Sequence, residues 1–140
     1  MVIWHSPFTP ESVNAAGQDS LASHLGMECI EAGDDYLRVR MPVDARTRQP
    51  FGLLHGGATV ALGETIGGMA SAHVLGPGNQ HAVGIEINAN HVRSARDGYV
   101  IATCRPIHLG RSTHVWDIRV ETPDGTLVSI IRLTNAIVTR

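Results

Sequence analysis

From about position 80 onward, apolar and polar residues alternate. Val83, Ile85, Ile87 and Ala89 fall on one side of an extended segment, and Trp116, Ile118 and Val120 repeat the arrangement, with polar residues opposite each set. Four strands are predicted, over 82–92, 99–107, 113–122 and 127–138, with turns at Asp97-Gly98, Gly110 and Pro123-Asp124-Gly125. Turns this short make consecutive strands antiparallel. Nearer the N-terminus, 27–32 and 36–43 read as a hairpin about Gly33-Asp34-Asp35, with Leu37, Val39, Met41 and Val43 directed inward. Before it, Thr9-Pro10-Glu11 starts a short helix with a polar cap and a proline in its first position, and Asp19 or Ser20 caps a second that ends near Gly26. An irregular loop over 44–54 leads into the middle of the chain.

The middle has a different pattern. From Gly56 to Ala72 the residues are small or apolar on every side, with Gly56, Gly57, Ala58, Ala61, Gly63, Gly67, Gly68, Ala70, Ser71 and Ala72 among them. A helix of that composition is wrapped by other elements rather than laid on a surface. Each interior glycine costs such a helix roughly 1 kcal/mol relative to alanine, so its glycines mark close approach by another backbone or a ligand. A Gly76-Pro77-Gly78-Asn79 break ends it. One long helix among about six antiparallel strands gives an α+β fold in which a curved sheet wraps the helix. The whole chain, 1–140, is expected to form one domain.

Within that helix Glu64 is the only Asp, Glu, Lys or Arg between Arg48 and Glu86. A carboxylate in such surroundings either faces a water-filled cleft or costs several kcal/mol in desolvation, so a chemical role is expected of it. Partial burial would raise its pKa towards the range useful to a base.

Charge and composition narrow the setting. A net charge of −2 argues against a nucleic-acid-binding protein, but four Arg, at 93, 96, 105 and 111, share a window with one acid, Asp97, which suggests a local patch for an anionic ligand. Lysine is absent, so every fixed positive side chain is a guanidinium, a group suited to phosphate. Cys29 and Cys104 form neither a CxxC nor a zinc pattern and read as core thiols of a reducing compartment. His5, His24, His73, His81 and His114 have no metal-ligand spacing, and no metal is expected. The N-terminus lacks the pattern of a signal peptide, and the 65–85 stretch, with His73, Pro77, Asn79, Gln80 and His81, is not a membrane span. A cytoplasmic protein with neither membrane nor nucleic-acid partners is expected. Without a Gly-x-Ser-x-Gly elbow, a serine hydrolase has little support.

Taken together, Gln49-Pro50-Phe51-Gly52-Leu53-Leu54-His55-Gly56-Gly57, then Glu64, then Glu86-Ile87-Asn88-Ala89-Asn90-His91 and Pro106-Ile107-His108-Leu109-Gly110-Arg111 resemble the hotdog-fold acyl-CoA thioesterases. The likeness is greatest to the branch containing 1,4-dihydroxy-2-naphthoyl-CoA thioesterase and the enterobactin-pathway proofreading thioesterase, and it covers nearly the whole chain. It implies hydrolysis of an acyl-CoA thioester, with an aromatic acyl group favoured and an acyl or aroyl carrier protein as a further possible donor. Coenzyme A is then part of the substrate, and no separate cofactor is needed. It also implies a homodimer at least, with a homotetramer expected, and assigns the ligand's pantetheine and nucleotide end to His91, Arg93, Ser94, Arg96, His108 and Arg111, with Gly68, Gly84 and Gly110 as further substrate-facing positions. One departure stands out: close relatives carry a Ser four residues after the acid, where this chain has Gly68.

The chemistry can be argued from geometry as well. A helix starting near Gly56 directs free N–H groups and the positive end of its dipole at whatever precedes it, which suits a thioester oxygen becoming an oxyanion. Gly56 is the expected donor, Gln49 a second hold on the same oxygen, and His55 a group that orients the loop or polarises the substrate. Glu64 is the nucleophile or the general base. Nine residues from His55 correspond to about 13.5 Å of rise and about 900° of rotation, which puts the two on opposite helix faces. They can share a site only across a subunit boundary. Two other functions compete: a hotdog enoyl-CoA hydratase or dehydratase, which would want a different Asp or His acid/base arrangement, and a non-catalytic acyl-CoA-binding module.

Overall fold

In the computed structural model, which describes residues 1–140, the alternating segments become one antiparallel sheet. Its strands are β1 (Glu28–Ala32), β2 (Leu37–Pro42), β3 (Gln80–His91), β4 (Tyr99–Leu109), β5 (Thr113–Glu121) and β6 (Leu127–Thr139). Two short helices precede it, α1 (Pro10–Ala16), capped by Thr9, and α2 (Leu21–His24), capped by Ser20. The long helix α3 (Gly56–Leu75) packs against five of the six strands. The expected α+β fold, a sheet wrapped about one helix, is therefore what the chain adopts.

The strand order, β1-β2-β4-β5-β6-β3, departs from the expected run of consecutive neighbours at one place. β3 pairs with β6, not with β4. The reason lies in residues 92–98, which cross the end of the sheet instead of turning back on β3. Val92 and Arg93 donate backbone bonds to Val128 O, Leu54 N–H bonds Ala95 O at 2.8 Å, and Val43 N–H bonds Gly98 O at 2.8 Å. Gly98, at φ +69°, makes the final bend into β4. The crossing is thus stitched to the loop that leads into α3.

A second departure concerns β3. A bulge between Gly84 and Glu86 breaks its register with β6: Gly84 faces Asn135 and Glu86 faces Thr134, leaving Ile85 extra. The extra residue reverses the alternation. Ile87 and Ala89 pack against the core as expected, but Val83 and Ile85 are exposed and Gly84 takes the inward position.

The two edges of the sheet differ. β1 is short and flanked by α1, from which Asn14 accepts the Cys29 N–H at 2.7 Å and donates to the Cys29 carbonyl at 3.0 Å. β3 runs for 12 residues with no neighbour on its outer side.

α3 is buried on one stripe, through Thr59, Leu62, Gly63, Ile66, Gly67, Ala70 and Ser71, rather than all round, and Gly57, Glu64 and Ala72 are exposed. Along the stripe the helix lies so close to β6 that a Cβ on Gly63 would sit 2.7 Å from Ile131 Cδ1, and one on Gly67 would collide with Leu133. Around it Leu37, Val39, Met41, Leu62, Ile66, Trp116, Ile118 and Val120 have no exposed surface, each large aliphatic contributing about 1.5–3 kcal/mol on burial. Cys29 and Cys104 are buried free thiols, and desolvation raises the pKa of both. The N-terminal segment straps the far end of α3: His5 N–H bonds His73 O, and Phe8 stacks on the His73 ring, whose burial depresses its pKa. Gly67→Val is expected to destabilise the fold by about 1–3 kcal/mol through overpacking, read as a lower denaturant midpoint.

Candidate active site

The loop before α3 is held by side-chain and backbone bonds to main-chain carbonyls. Thr47 Oγ1 donates to Pro42 O at 2.7 Å, His55 N–H to Thr47 O at 2.7 Å, and the Arg48 guanidinium to Val43 O and Arg96 O. Gln49 closes a turn, its N–H bonding Leu53 O and its carbonyl accepting from Gly52, which sits at φ +85°. The Gln49 Oε1 accepts the Phe51 N–H, so its amide nitrogen keeps both protons for another acceptor.

His55 is the N-cap of α3, and its Nδ1 accepts the Gly57 N–H at 2.7 Å. An accepting Nδ1 is unprotonated, which puts the ring proton on Nε2 and makes His55 an outward donor. The Gly56 N–H bonds nothing in the chain. It lies at the positive end of a 20-residue helix. Beside it the His91 ring is fixed by an Nδ1 contact to Ser129 Oγ at 2.7 Å, and a Cβ on Gly56 would come within 2.8 Å of His91 Nε2. Gln49, Gly56, His91, Arg93 and Ser94 line one cavity of about 320 Å³, so five of the predicted residues meet there. Sequence reasoning missed its remaining walls, Leu53, Leu54, Thr59, Val92, Ala95 and Val128. Four of its lining residues come from the strand crossing, 92–95, which a simple turn at Asp97-Gly98 would not have placed there.

Glu64 lies elsewhere. It is exposed, has no hydrogen bond or ion pair, and sits against Gly84, where a Cβ would be 2.5 Å from its Oε1. The partial burial expected of this carboxylate is not found in the single chain, because its helix face looks out past the open edge of β3. His55, the N-cap, stands just outside α3, and Glu64 lies more than two turns along it. Gly68, one turn on, has nothing within 4 Å of its Cβ position and lines a separate cavity of about 300 Å³ with Ala72, Gln80 and Ala82.

The remaining predicted residues divide. His108 lies at the end of β4, paired with Val115, and Gly110 and Arg111 form the β4–β5 turn, beside the C-terminal end of β6, where Thr113 pairs with Ala136. His91 pairs with Ser129 at the opposite end, so one chain does not bring the two groups together. His108 packs on Gly110, whose N–H bonds Thr113 O at 2.8 Å. The four-arginine patch is also dispersed: Arg105 pairs with Asp35 at 3.1 Å and lies over the Tyr36 ring, Arg96 serves through its carbonyl, and Arg93 and Arg111 are at opposite ends of the sheet.

A helix start with an unbonded N–H, a donor amide beside it and a carboxylate on the far helix face is an arrangement suited to acyl transfer. Residues 51–129 match the thioesterase superfamily. The chain is 48% identical over 136 residues to the 1,4-dihydroxy-2-naphthoyl-CoA hydrolase of Escherichia coli strain K12, covering 97% of this chain and 99% of that one. To the proofreading thioesterase EntH of Cronobacter turicensis it is 45% identical over 136 residues, 97% of this chain and 98% of the relative. A crystal structure of a mutant (Q49A) thioesterase from Pseudomonas aeruginosa matches with a TM-score of 0.96 at 46% identity, over 99% of both chains. The chain belongs to the thioesterase superfamily and has the hotdog fold. It is an enzyme, a hydrolase of thioesters. No helix is long and apolar enough to cross a membrane.

The open space at Gly68 generates a prediction about the position at which the family resemblance implies a Ser. Gly68→Ser is expected to fold with equal or slightly higher stability, by up to about 0.5 kcal/mol, because glycine is the poorer helix former. It is also expected to raise kcat on aromatic acyl-CoA. Unchanged turnover across a substrate panel would mean that another group already does the work of the hydroxyl.

Proposed function

We propose that this thioesterase hydrolyses acyl-CoA, with aromatic acyl groups preferred, in active sites shared between two copies of the chain. The observation that carries the reading is the division of its chemistry. The unbonded Gly56 N–H, the Gln49 amide and His55 Nε2–H gather at the start of α3, whereas Glu64, the only carboxylate on that helix, faces the unpaired edge of β3. A 12-residue edge with Val83 and Ile85 exposed is a template for pairing with a second copy. An antiparallel pair about a twofold axis brings opposite ends of the two β3 strands side by side. The Gly56 end of one chain then approaches the Glu64 face of the other, and the His108–Arg111 turn of one approaches the Arg93–Ser94 crossing of its partner.

In that cleft the Gly56 N–H and Gln49 take the thioester oxygen as it becomes an oxyanion, and His55 donates alongside. Glu64 of the partner delivers the attack on the carbonyl carbon. Arg93 and Arg111 are the cationic groups available to the CoA phosphates. The name of the Escherichia coli relative, a 1,4-dihydroxy-2-naphthoyl-CoA hydrolase, supports an aromatic acyl group. An aroyl carrier protein presents the same thioester, and a steady-state panel of aryl-CoA, alkyl-CoA and aroyl-carrier substrates ranks the donors.

Three outcomes test the reading. Glu64→Gln is expected to keep fold and assembly while lowering kcat by about a hundredfold or more; wild-type kinetics in folded protein would remove Glu64 from the mechanism. His55→Ala is expected to lower kcat by about tenfold or more with KM little changed, since a donor to developing charge acts on the transition state. A rise in KM alone would assign it to binding instead. When the two inactive chains are mixed and subunit exchange is verified by mass, half the dimers are hybrids with one intact site each, so roughly a quarter of wild-type activity should return. Exchange without recovery would put the whole site in one chain.

A further inference from the structure

Asn135 has a buried side chain whose orientation is fixed by its neighbours. It is 2% exposed, on β6. Its Nδ2 donates to Ser71 Oγ at 2.9 Å and to Gly67 O at 3.3 Å. A peptide carbonyl can only accept, so the atom facing it must be the nitrogen, and the oxygen must point the other way. Ser71 Oγ also accepts the Trp116 Nε1–H at 2.8 Å, which leaves its own proton for His114 Nδ1 at 3.0 Å. One acceptor of this seam is left open. Asn135 Oδ1 makes no hydrogen bond in the chain, yet no fully enclosed side-chain polar atom lacks a partner, so Oδ1 must reach accessible space.

The space it reaches is the one beside Glu64. A Cβ on Gly84 would lie 3.6 Å from Asn135 Oδ1 and 2.5 Å from Glu64 Oε1. Two acceptor oxygens therefore flank the position left free by a glycine, with no donor supplied by the protein. A water molecule has two protons to offer two acceptors.

We propose that Asn135 Oδ1 and Glu64 hold the attacking water between them, so that Glu64 is a general base rather than a nucleophile. The inference rests on the role of Glu64 given above and extends it to a second residue. The water donates one hydrogen bond to each oxygen, which turns its lone pair towards the thioester carbonyl. As its oxygen bonds to the carbonyl carbon, one proton passes to Glu64 and the other stays on the new hydroxyl, held by Asn135. When the C–S bond breaks, Glu64 returns its proton to the departing thiolate. Free acid, thiol and an ionised Glu64 remain, with one water consumed. Gly84 serves by leaving room for that water.

The test is a single turnover of an aryl-CoA thioester by excess enzyme in H₂¹⁸O. Water attack puts ¹⁸O into the acid released in the first turnover. Unlabelled first-turnover acid, with the label on the enzyme, means an anhydride at Glu64 and overturns the inference. Two variants probe the residue itself. Asn135→Leu removes Oδ1 and is expected to lower kcat about tenfold or more with KM within about twofold. Because it also strips a donor from Ser71, its fold is checked by Tm, and Gly84→Ala is the second variant: its methyl enters the water position and comes within 2.5 Å of Glu64 Oε1, so it tests the water and the carboxylate that holds it together, leaving the Asn135–Ser71 bond in place. The same loss of kcat at an unchanged Tm is expected there. A folded Asn135→Leu with kcat within twofold of wild type overturns the inference, as does a Gly84→Ala enzyme with undiminished turnover. Absence of thioester hydrolysis in the wild type, or full activity in Glu64→Gln, would overturn the underlying reading instead.

Discussion

The closeness of α3 to β6 sets the rest of the structure. With no side chain on Gly63 or Gly67, the helix settles onto Ile131 and Leu133 at a separation where an added Cβ would force the tips of those buried side chains to shift. The loss of helix propensity, roughly 1 kcal/mol at each glycine, is offset by the burial of Leu62 and Ile66 on the same stripe, about 1.5–3 kcal/mol each. That seating carries the start of the helix to the end of the sheet where residues 92–95 cross. It also brings Glu64 level with Gly84 on β3. Glycine recurs where chemistry meets packing: Gly56 lies beneath the His91 ring and Gly84 beneath the Glu64 carboxylate.

Behind the site runs the polar seam of Ser71, His114, Trp116 and Asn135, all almost without exposed surface. A hydrogen-bonded network in a medium that screens poorly is strong when complete and costly when broken, so it admits few alternative registers of helix against sheet. Each member has a role set by what it can donate. Trp116 can only give, Ser71 receives twice and gives once, and burial depresses the pKa of His114, favouring the neutral ring that accepts at Nδ1.

The architecture was legible because it rests on local periodicity. Leu37-Val39-Met41 and Trp116-Ile118-Val120 alternate in sequence and are buried in the fold. Glu64 and the His55-Gly56-Gly57 cap stood out by isolation and by glycine content, and the helix period alone put them on different faces. The failures share one cause. The strand crossing at 92–98, the bulge at Ile85 and the pairing of Arg105 with Asp35 are all decided by contacts between distant segments. A single extra residue in β3 turned Val83 from the core to the surface and Gly84 inward, and nothing in the alternation itself announces it. Asn135 was invisible for the same reason, since an Asn in a strand acquires meaning only from the carbonyl and the hydroxyl packed against it.

The treatment of the sheet edges has a consequence for growth. Asn14 occupies both the N–H and the carbonyl of Cys29, so a strand approaching β1 finds these two groups already taken. β3 has no such cover. A sheet with two open edges can recruit copies without end, as fibrils do, whereas a sheet with one open edge is saturated by its first partner. One asparagine on a two-turn helix thus takes the Cys29 pair out of reach of an incoming strand and leaves β3 as the edge without such cover.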